Sequence, residues 1–221
     1  KMFYGGSRPW HGLGVELNHP ATAFEAIQAA KLDYVVEQEK IQTVSKKEIE
    51  YLFANVRKDT GQVLGVISDR YKVIQNTEAF NFFDSIIGEK LAIYHTAGAL
   101  GKGERIWILA KLPDDVIVTK DDVVEKYLLL TNSHDGSSSL KMYFTPVRVV
   151  CQNTLIMSYA DAKDGISIRH RGKIQAKVDE ARRVLGLAVN YYTRFSSDAS
   201  ALLKYKINKK ELDAYFNYVL R

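Results

Sequence analysis

Residues 49–67 read Ile-Glu-Tyr-Leu-Phe-Ala-Asn-Val-Arg-Lys-Asp-Thr-Gly-Gln-Val-Leu-Gly-Val-Ile, and this stretch decides the fold. Its two ends, 49–57 and 63–67, are rich in residues that favour strands, and Lys58-Asp59-Thr60-Gly61 between them favours a turn. A third strand candidate precedes them at 34–44. The stretch therefore predicts antiparallel strands joined by short turns.

Helices are predicted on both sides of these strands. Thr22 and Glu25 have the spacing of a capping box, in which each side chain accepts from the other residue's backbone N–H, and they open a helix over 22–32. Asn76 is expected to cap a second helix over 76–87, whose apolar residues fall on one face. The order of the first half is therefore α-β-β-β-α.

A second strand-rich block follows. It contains two pairs of strands with a loop inside each pair: 91–96 and 105–112 around the glycine-rich connection 98–103, then 125–131 and 140–150 around 132–139. Both pairs are expected to be hairpins with long, exposed tips. These elements predict the α+β class, with antiparallel sheets, an α-β-β-β-α core and a helical C-terminal extension.

The C-terminal part has a helical pattern. Seven apolar residues recur at alternating spacings of 4 and 3: Ile174, Val178, Ala181, Leu185, Ala188, Tyr192 and Phe195. This heptad stripe predicts a long helix that docks along one seam, either on its own sheet or on another chain. Asn208 and Glu211 form a second capping box, which starts a final helix. We expect a core domain at 1–165 and a basic strand with a helical extension, packed on the core, at 166–221.

Bulk composition is that of an ordinary globular protein. The chain has 221 residues, of which 46% are hydrophobic and 26% charged. No segment approaches the run of about 20 apolar residues that a membrane-spanning helix needs, and the first residues lack the apolar run of a secretory signal. A single cysteine, Cys151, excludes an internal disulfide. These features fit a protein of a reducing compartment without a membrane partner, and the ends at Lys1 and Arg221 are those expected of a fragment of a longer protein.

Positive charge is concentrated towards the C-terminus. Residues 141–221 contain 15 Lys and Arg against 7 Asp and Glu, whereas the other 140 residues contain 16 against 19. Such asymmetry indicates that one part of the surface meets a polyanion. The alternative is a basic protein whose charges serve solubility alone.

Individual residues can be assigned to this polyanion surface. Guanidinium groups bind phosphate bidentately, and aromatic rings stack on bases. As a strand, 166–173 would place Arg169 and Arg171 on one face and His170 on the other. The predicted nucleic-acid-binding residues are Arg148, Arg169, Arg171, Lys173, Lys177, Arg182, Lys102, Arg105 and Tyr143. Alternatively, the cations of the long helix form a solvated face and pair with Asp179 and Glu180.

His134 and Asp135 are the candidates for catalysis, because an aspartate can orient an imidazole and serines follow at 137–139. They would serve a hydrolase or nuclease. The alternative is turn chemistry, since Asp-Gly is a common turn pair and no third partner is identifiable. We expect the loop role, and therefore no catalytic residue.

The remaining sequence offers no cofactor or metal signature. Lys102 is followed by Gly103 and Glu104, which breaks the P-loop pattern. The five histidines are scattered, and no pair has metal-ligand spacing. Cys151, between a strand and a helix pattern, is expected to be a small packed side chain. The sequence predicts neither a cofactor nor a metal.

Four pieces of the sequence look like one known set. They are Pro9-Trp10-His11-Gly12-Leu13-Gly14, residues 98–111, Thr131-Asn132-Ser133-His134-Asp135-Gly136-Ser137 and Pro146-Val147-Arg148-Val149-Val150-Cys151-Gln152-Asn153-Thr154-Leu155. On these pieces the chain resembles the phage/plasmid-like family that carries domain of unknown function number 932. The resemblance implies a home on phages, plasmids and other mobile elements, hence a cytoplasmic protein, and it brings no enzymatic activity with it.

A second resemblance concerns the fold. The α-β-β-β-α order is similar to the core of the single-strand annealing superfamily, which includes the RecT, Erf and Rad types. That superfamily binds single-stranded DNA in a basic groove and assembles into rings or filaments. The resemblance therefore implies single-stranded DNA and further copies of the chain as partners.

The expected function is that of a non-catalytic DNA-binding protein of a phage or plasmid, acting in single-strand annealing or homologous recombination. Two alternatives stay open. One is a protein-interaction or anti-defence module of a mobile element, docking through the heptad stripe. The other is the hydrolase or nuclease that would use His134 and Asp135.

Overall fold

The fold is described by a computed structural model that covers residues 1–120, 122–159, 165–171 and 188–219, with the backbone alone at 87–91 and 188–191. Within these ranges the chain forms twelve strands and five helices. The strands are β1 (Met2–Gly5), β2 (Val15–Leu17), β3 (Val36–Gln42), β4 (Glu48–Arg57), β5 (Val63–Ser68), β6 (Ile93–Leu100), β7 (Arg105–Lys111), β8 (Val116–Thr119), β9 (Asp122–Val124), β10 (Tyr127–Ser133), β11 (Leu140–Thr145) and β12 (Gly165–Ile168). The helices are α1 (Ala23–Ala30), α2 (Asn76–Leu91), α3 (Gln152–Tyr159), α4 (Ala188–Lys204) and α5 (Lys209–Val219). The predicted α+β class is confirmed.

The strands of the described residues form three sheets. The largest has seven strands in the order β12-β11-β10-β7-β6-β1-β2, antiparallel throughout except for the pair β1 and β2. A second sheet, which we call the small sheet, has the order β3-β4-β5, and β8 pairs with β9 in a separate hairpin. The predicted order α-β-β-β-α is therefore present as α1-β3-β4-β5-α2.

The seven-stranded sheet is buried on both faces, which explains the apolar runs in its central strands. β7 reads Ile-Trp-Ile-Leu-Ala over 106–110 and β10 reads Leu-Leu-Leu over 128–130, and all these side chains are buried. One face belongs to the same core as Ala26 of α1 and Phe80 of α2. The other face packs with Leu155 of α3. Two apolar layers thus enclose one sheet.

The first helix forms as its sequence predicts. The Thr22 hydroxyl accepts from the Glu25 N–H at 3.3 Å, and the Glu25 carboxylate accepts from the Thr22 N–H at 2.9 Å. Lys31 ends the helix in the left-handed conformation, with φ of 55°. The capping box therefore fixes the start of α1.

The predicted cap of the second helix was wrong by one residue. α2 starts at Asn76, and Gln75 is its N-cap. The Glu78 carboxylate accepts from the Gln75 N–H at 2.8 Å. The Asn76 side chain is buried, and its amide instead donates to the Leu32 carbonyl at 3.0 Å.

Several strand boundaries differ from those predicted. β11 ends at Thr145 because Pro146 cannot continue the ladder. The glycine-rich connection is shorter than expected, since Gly98 lies inside β6. The N-terminal segment adds β1 and β2, for which no strand is predicted. The domain boundary predicted between residues 165 and 166 falls inside β12. This strand pairs with β11 and so belongs to the large sheet.

The heptad stripe is only partly described, because Ile174, Val178, Ala181 and Leu185 lie outside the described residues. Its C-terminal end lies on α4, where Tyr192 is buried in the chain's own core. The Tyr192 hydroxyl accepts from the Tyr127 N–H at 2.8 Å. This end of the stripe therefore docks on its own sheet. No helix in the described ranges is both long and apolar enough to cross a membrane.

Candidate nucleic-acid interface

Cationic residues from two distant parts of the chain lie at one end of the seven-stranded sheet. Arg105 at the start of β7 is opposite Ser133 at the end of β10, and Leu140 at the start of β11 is opposite Ile168 at the end of β12. The ends of β10 and β12 and the starts of β7 and β11 therefore coincide. Four predicted binding residues lie there, and we call them the basic end: Lys102, Arg105, Arg169 and Arg171.

The tip of the β6–β7 hairpin, which carries Lys102, is held by the small sheet. The Tyr34 hydroxyl donates to the Gly103 carbonyl at 2.7 Å, and the Arg57 guanidinium donates to the Lys102 carbonyl at 2.9 Å. Arg57 also lies over the Tyr34 ring at 3.8 Å. The exposed tip predicted from the glycines is thus fastened at its backbone, while the Lys102 side chain remains in solvent.

The 134–139 connection is packed at its start, while Gly136 and Ser137 at its tip are exposed, as predicted. The Asn55 amide donates to the His134 carbonyl at 2.6 Å, and the Tyr71 hydroxyl donates to the Ser133 carbonyl at 2.6 Å. A Cβ at Gly65 would lie 2.5 Å from the Cα of Asp135, so only glycine lets β5 approach this closely. The small sheet therefore forms the support of the basic end.

His134 is a structural residue in this geometry, and the pairing with Asp135 that the hydrolase alternative requires is not formed. The His134 side chain has no exposed surface. Its Nε2 lies 2.8 Å from the Asn76 Oδ1, and burial lowers the imidazole pKa to about 4. Asp135 turns away and accepts from the Ser137 N–H at 2.8 Å. A substrate cannot reach the imidazole.

Arg105 is the best-positioned cation of the basic end. Its guanidinium donates to the Ser137 hydroxyl at 3.0 Å and lies 3.7 Å from the Asp135 carboxylate. Burial raises the pKa of Asp135, but hydrogen bonds from Ser137 and the charge of Arg105 outweigh it, so the pKa is below its ordinary value. Asp135 therefore neutralises part of the charge here.

Arg169 and Arg171 follow β12 and flank a buried histidine. His170 stacks on Tyr71 with ring centroids 4.4 Å apart, and the Lys72 N–H donates to the His170 carbonyl at 2.8 Å. Both arginines are exposed, as the predicted alternation requires. Neither forms an ion pair with a residue in the described ranges.

Arg148 does not join the basic end, which corrects its predicted place in one basic surface. Its guanidinium donates to the Gly5 carbonyl at 3.1 Å and to the Ser7 carbonyl at 2.6 Å. Gly5 follows the Tyr4–Thr96 pair near the start of β6, at the opposite end of the sheet. β1 and β12 are five strand positions apart, about 24 Å at the usual strand spacing. Arg148 therefore anchors the N-terminal segment.

Tyr143 cannot stack on a base, which corrects a second predicted role. The side chain is 2% exposed, and its hydroxyl lies 3.1 Å from the Ser158 hydroxyl. It packs between β11 and α3. The other three predicted residues, Lys173, Lys177 and Arg182, lie outside the described residues.

Comparison with known proteins places the chain in a family. A family model described as a domain of unknown function (DUF932) matches residues 63–221, more than half of the chain. The chain belongs to the DUF932 family. No curated protein and no solved structure is similar to it at a significant level. The matched region runs from β5 onwards and contains the whole basic end.

The DUF932 chain also has a cavity of about 710 Å³ whose lining includes Trp10, His11 and Cys151. The His11 Nδ1 accepts from the Leu13 N–H at 3.0 Å, and its Nε2 lies 3.2 Å from the Val150 carbonyl. Both imidazole nitrogens are thus used in fixing the N-terminal segment to the segment before α3.

Cys151 stands at the start of α3 and lines this cavity instead of being a fully packed side chain. Burial raises the pKa of its thiol, but hydrogen bonds with Thr154 and the Asn153 amide outweigh it, so the pKa is below its ordinary value. The Cys151 Sγ lies 3.5 Å from the Thr154 hydroxyl. Since His11 is engaged elsewhere, the two do not form a nucleophile and base pair.

Metal binding has no support among the described residues, where no group of three or more His, Cys, Asp or Glu side chains could hold an ion.

Sequence reasoning missed other residues near the basic end. Lys141 lies opposite Thr131 in the β10–β11 ladder, and its ammonium lies 5.4 Å from the centroid of the Tyr159 ring. Lys141 could have been identified from the sequence as a lysine at the start of an otherwise apolar strand.

Proposed function

We propose that this DUF932 protein binds single-stranded DNA without catalysing a reaction, through the basic end of its large sheet. The observation that carries the proposal is the meeting of Lys102, Arg105, Arg169 and Arg171, which are up to 69 residues apart in sequence, at one end of one sheet. Arg169 and Arg171 present exposed guanidinium groups, which bind phosphate oxygens bidentately.

The packing behind these cations supports a binding surface rather than a mobile patch. The hairpin tip and the 134–139 connection are both tied to the small sheet. Side chains on a rigid support lose less conformational entropy on binding. The basic end therefore offers a phosphate chain a preformed set of contacts.

The more specific proposal is a single-strand annealing or recombination factor of a phage or plasmid. It is supported by the likeness to the phage/plasmid-like family and by the order α1-β3-β4-β5-α2, which is similar to that of the annealing superfamily. Annealing requires that backbone contacts leave the bases free to pair. Arginine contacts to phosphates satisfy that requirement.

Self-association belongs to the same proposal. α5 has no buried residue among those described, and exposed apolar side chains lie along α4, α5 and the turn between them: Leu202, Leu203, Tyr205, Ile207, Tyr215, Phe216, Tyr218 and Val219. An exposed apolar surface of this kind marks a protein contact. A second copy of the chain on this surface would extend the basic end into a longer track.

The same apolar surface favours a second candidate function, a module that binds another protein of the host or of the mobile element. The two functions differ in what the chain retains. An annealing factor retains DNA and assembles with itself, whereas an interaction module remains free of DNA.

The direct test is a gel shift with single- and double-stranded DNA, followed by an annealing assay with two complementary strands. We expect a shift with single-stranded DNA and faster annealing when the protein is present. The double variant Arg169→Ala/Arg171→Ala should bind single-stranded DNA more weakly and anneal more slowly, while the double variant Lys47→Ala/Lys120→Ala, changed away from the basic end, matches the unmodified chain. DNA binding without faster annealing would reject the annealing role alone.

A further inference from the structure

Next to the basic end, on the α3 side of the large sheet, lies a polar cavity of about 220 Å³. We call it the α3 cavity. Its lining includes Arg105, Thr131, Ser137, Lys141, Leu155 and Tyr159. Two cationic side chains, hydroxyl groups and one aromatic ring therefore face a common space.

Strand alternation determines which of these side chains enter the cavity. Leu130 belongs to the core on the α1–α2 side, and the Asn132 amide donates to the Ile74 carbonyl on that side. Thr131, between them, must face α3. Lys141 is opposite Thr131 in the ladder, and its neighbour Tyr143 packs with Leu155 of α3. The hydroxyl and the ammonium thus share the α3 face.

The Thr131 hydroxyl indicates that the cavity is built for a ligand. Thr131 is 4% exposed, and its Oγ1 has no hydrogen-bond partner in the described part of the chain. A buried hydroxyl without a partner is unfavourable and rare in folded proteins. A ligand with oxygen acceptors would supply the missing partner.

The charges in the cavity select an anion. Lys141 has no carboxylate partner among the described residues, and its ammonium lies over the Tyr159 ring. Arg105 has one, Asp135 at 3.7 Å. Among the described residues, two cations against one carboxylate leave a net positive charge. A phosphate group offers several oxygens, enough for Arg105, Lys141 and the Thr131 hydroxyl at once.

We propose that the α3 cavity holds one phosphate group of a bound DNA strand, with Tyr159 placed to stack on the adjoining base. This inference rests on the proposed DNA binding and adds to it a defined phosphate subsite. Thr131 and Lys141 bind the phosphate, and Arg105 links the cavity to the cations of the basic end.

The test measures binding of a fluorescent oligothymidylate to the full chain across a salt series. Lys141→Ala should lower the slope of log affinity against log salt by about 0.7, the value for one phosphate contact on a single strand. Thr131→Val should weaken binding about tenfold without changing the slope, because it removes a hydrogen bond to a charged group and no charge. Lys120→Ala, at an exposed lysine in the turn of the β8–β9 hairpin, should change neither.

Thermal unfolding without DNA provides the folding control. Thr131→Val should melt no lower than the unmodified chain, since it replaces an unpartnered hydroxyl with a methyl group of the same shape. If this variant fails to fold, Lys141→Ala decides alone, because Lys141 is partly exposed at the cavity mouth.

The outcomes separate the cavity from the proposed function. If the unmodified chain binds DNA and both variants match it in affinity and slope, the cavity assignment is overturned and DNA binding stands. If the unmodified chain binds no DNA, the proposed function fails, and inorganic phosphate is used as the probe in the melting assay. Stabilisation by phosphate that both variants abolish would support a site for free phosphate. No stabilisation would overturn the cavity as well.

Discussion

At residue 134 an imidazole is enclosed between the large sheet and α2. Burial lowers its pKa to about 4 and that of His95 to about 4 as well, and it lowers the pKa of His170. The ordinary value is about 6.5. Because the folded state holds these histidines neutral, the unfolded state binds more protons between pH 6.5 and pH 4.

The pH dependence of stability follows from this difference. Each neutral histidine contributes fully to the free energy of unfolding above pH 6.5, and this contribution is lost as the pH falls towards 4. Its size is about 1.4 kcal/mol for each unit by which the folded-state pKa lies below the unfolded-state pKa. We expect urea unfolding at pH 5 to give a lower free energy than at pH 7.5. His134→Gln should reduce this difference. A pH dependence equal to that of the unmodified chain would contradict the assignment.

The roles of His134, Tyr143 and Arg148 could not be predicted from the sequence, for one physical reason. Each side chain is fixed by a residue far along the chain: Asn76, Ser158 and Ser7 respectively. A histidine in Asn-Ser-His-Asp-Gly is equally compatible with an exposed turn and with a buried side chain that is hydrogen-bonded to another element. The exposure of Arg169 and Arg171 could be predicted from the sequence, because strand alternation alone places both on the solvent side.

At the scale of elements, the start of α2 is joined to β3 by one glutamine. The Gln75 side chain accepts from the Val36 N–H at 3.0 Å and donates to the Val36 carbonyl at 2.8 Å. Gln75→Ala should therefore lower the free energy of unfolding by about 1–3 kcal/mol. Gln28→Ala, on the exposed face of α1, should cost less than about 0.5 kcal/mol. Urea denaturation of both variants measures the difference, and equal values would mean that the Gln75 bonds contribute nothing.

The docking of α4 on the sheet depends on a second side chain. The Tyr192 hydroxyl accepts from the Tyr127 N–H and donates to the Tyr127 carbonyl at 2.9 Å. Tyr192→Phe leaves that buried N–H unpaired and should cost about 1–3 kcal/mol. Tyr218→Phe is the matched control, because Tyr218 is 84% exposed. Unfolding curves that coincide for the two variants would show that Tyr192 does not anchor α4.

Local patterns predicted the elements well where the chain follows its own propensities. The three strands of the small sheet and α1 lie within a few residues of their predicted bounds, because β-forming runs, a turn and a capping box decide them locally. β1 and β2 were missed, since strands of only four and three residues carry no periodic signal. Gln75 was missed because its partner, Val36, lies 39 residues away.

At the scale of the whole molecule, the exposed apolar side chains of α4 and α5 predict self-association. We expect sedimentation velocity to show assemblies larger than a 25.0 kDa monomer. Phe216→Asp should shift the distribution towards the monomer, because a charge on the apolar surface opposes its burial. Asp213→Asn, on the same helix, should not. A monomer at every concentration would reject self-association. The proposal of DNA binding would then rest on the basic end alone.

The most direct measurement of the central claim is fluorescence anisotropy of a labelled oligothymidylate over a salt series. The account predicts tight binding at low salt that weakens steeply as salt rises. The slope should be smaller by about 1.4 for Arg169→Ala/Arg171→Ala, two phosphate contacts at about 0.7 each. Lys47→Ala/Lys120→Ala should keep the slope of the unmodified chain. Binding absent at low salt, or equal slopes for the two double variants, would contradict the claim that the basic end holds DNA.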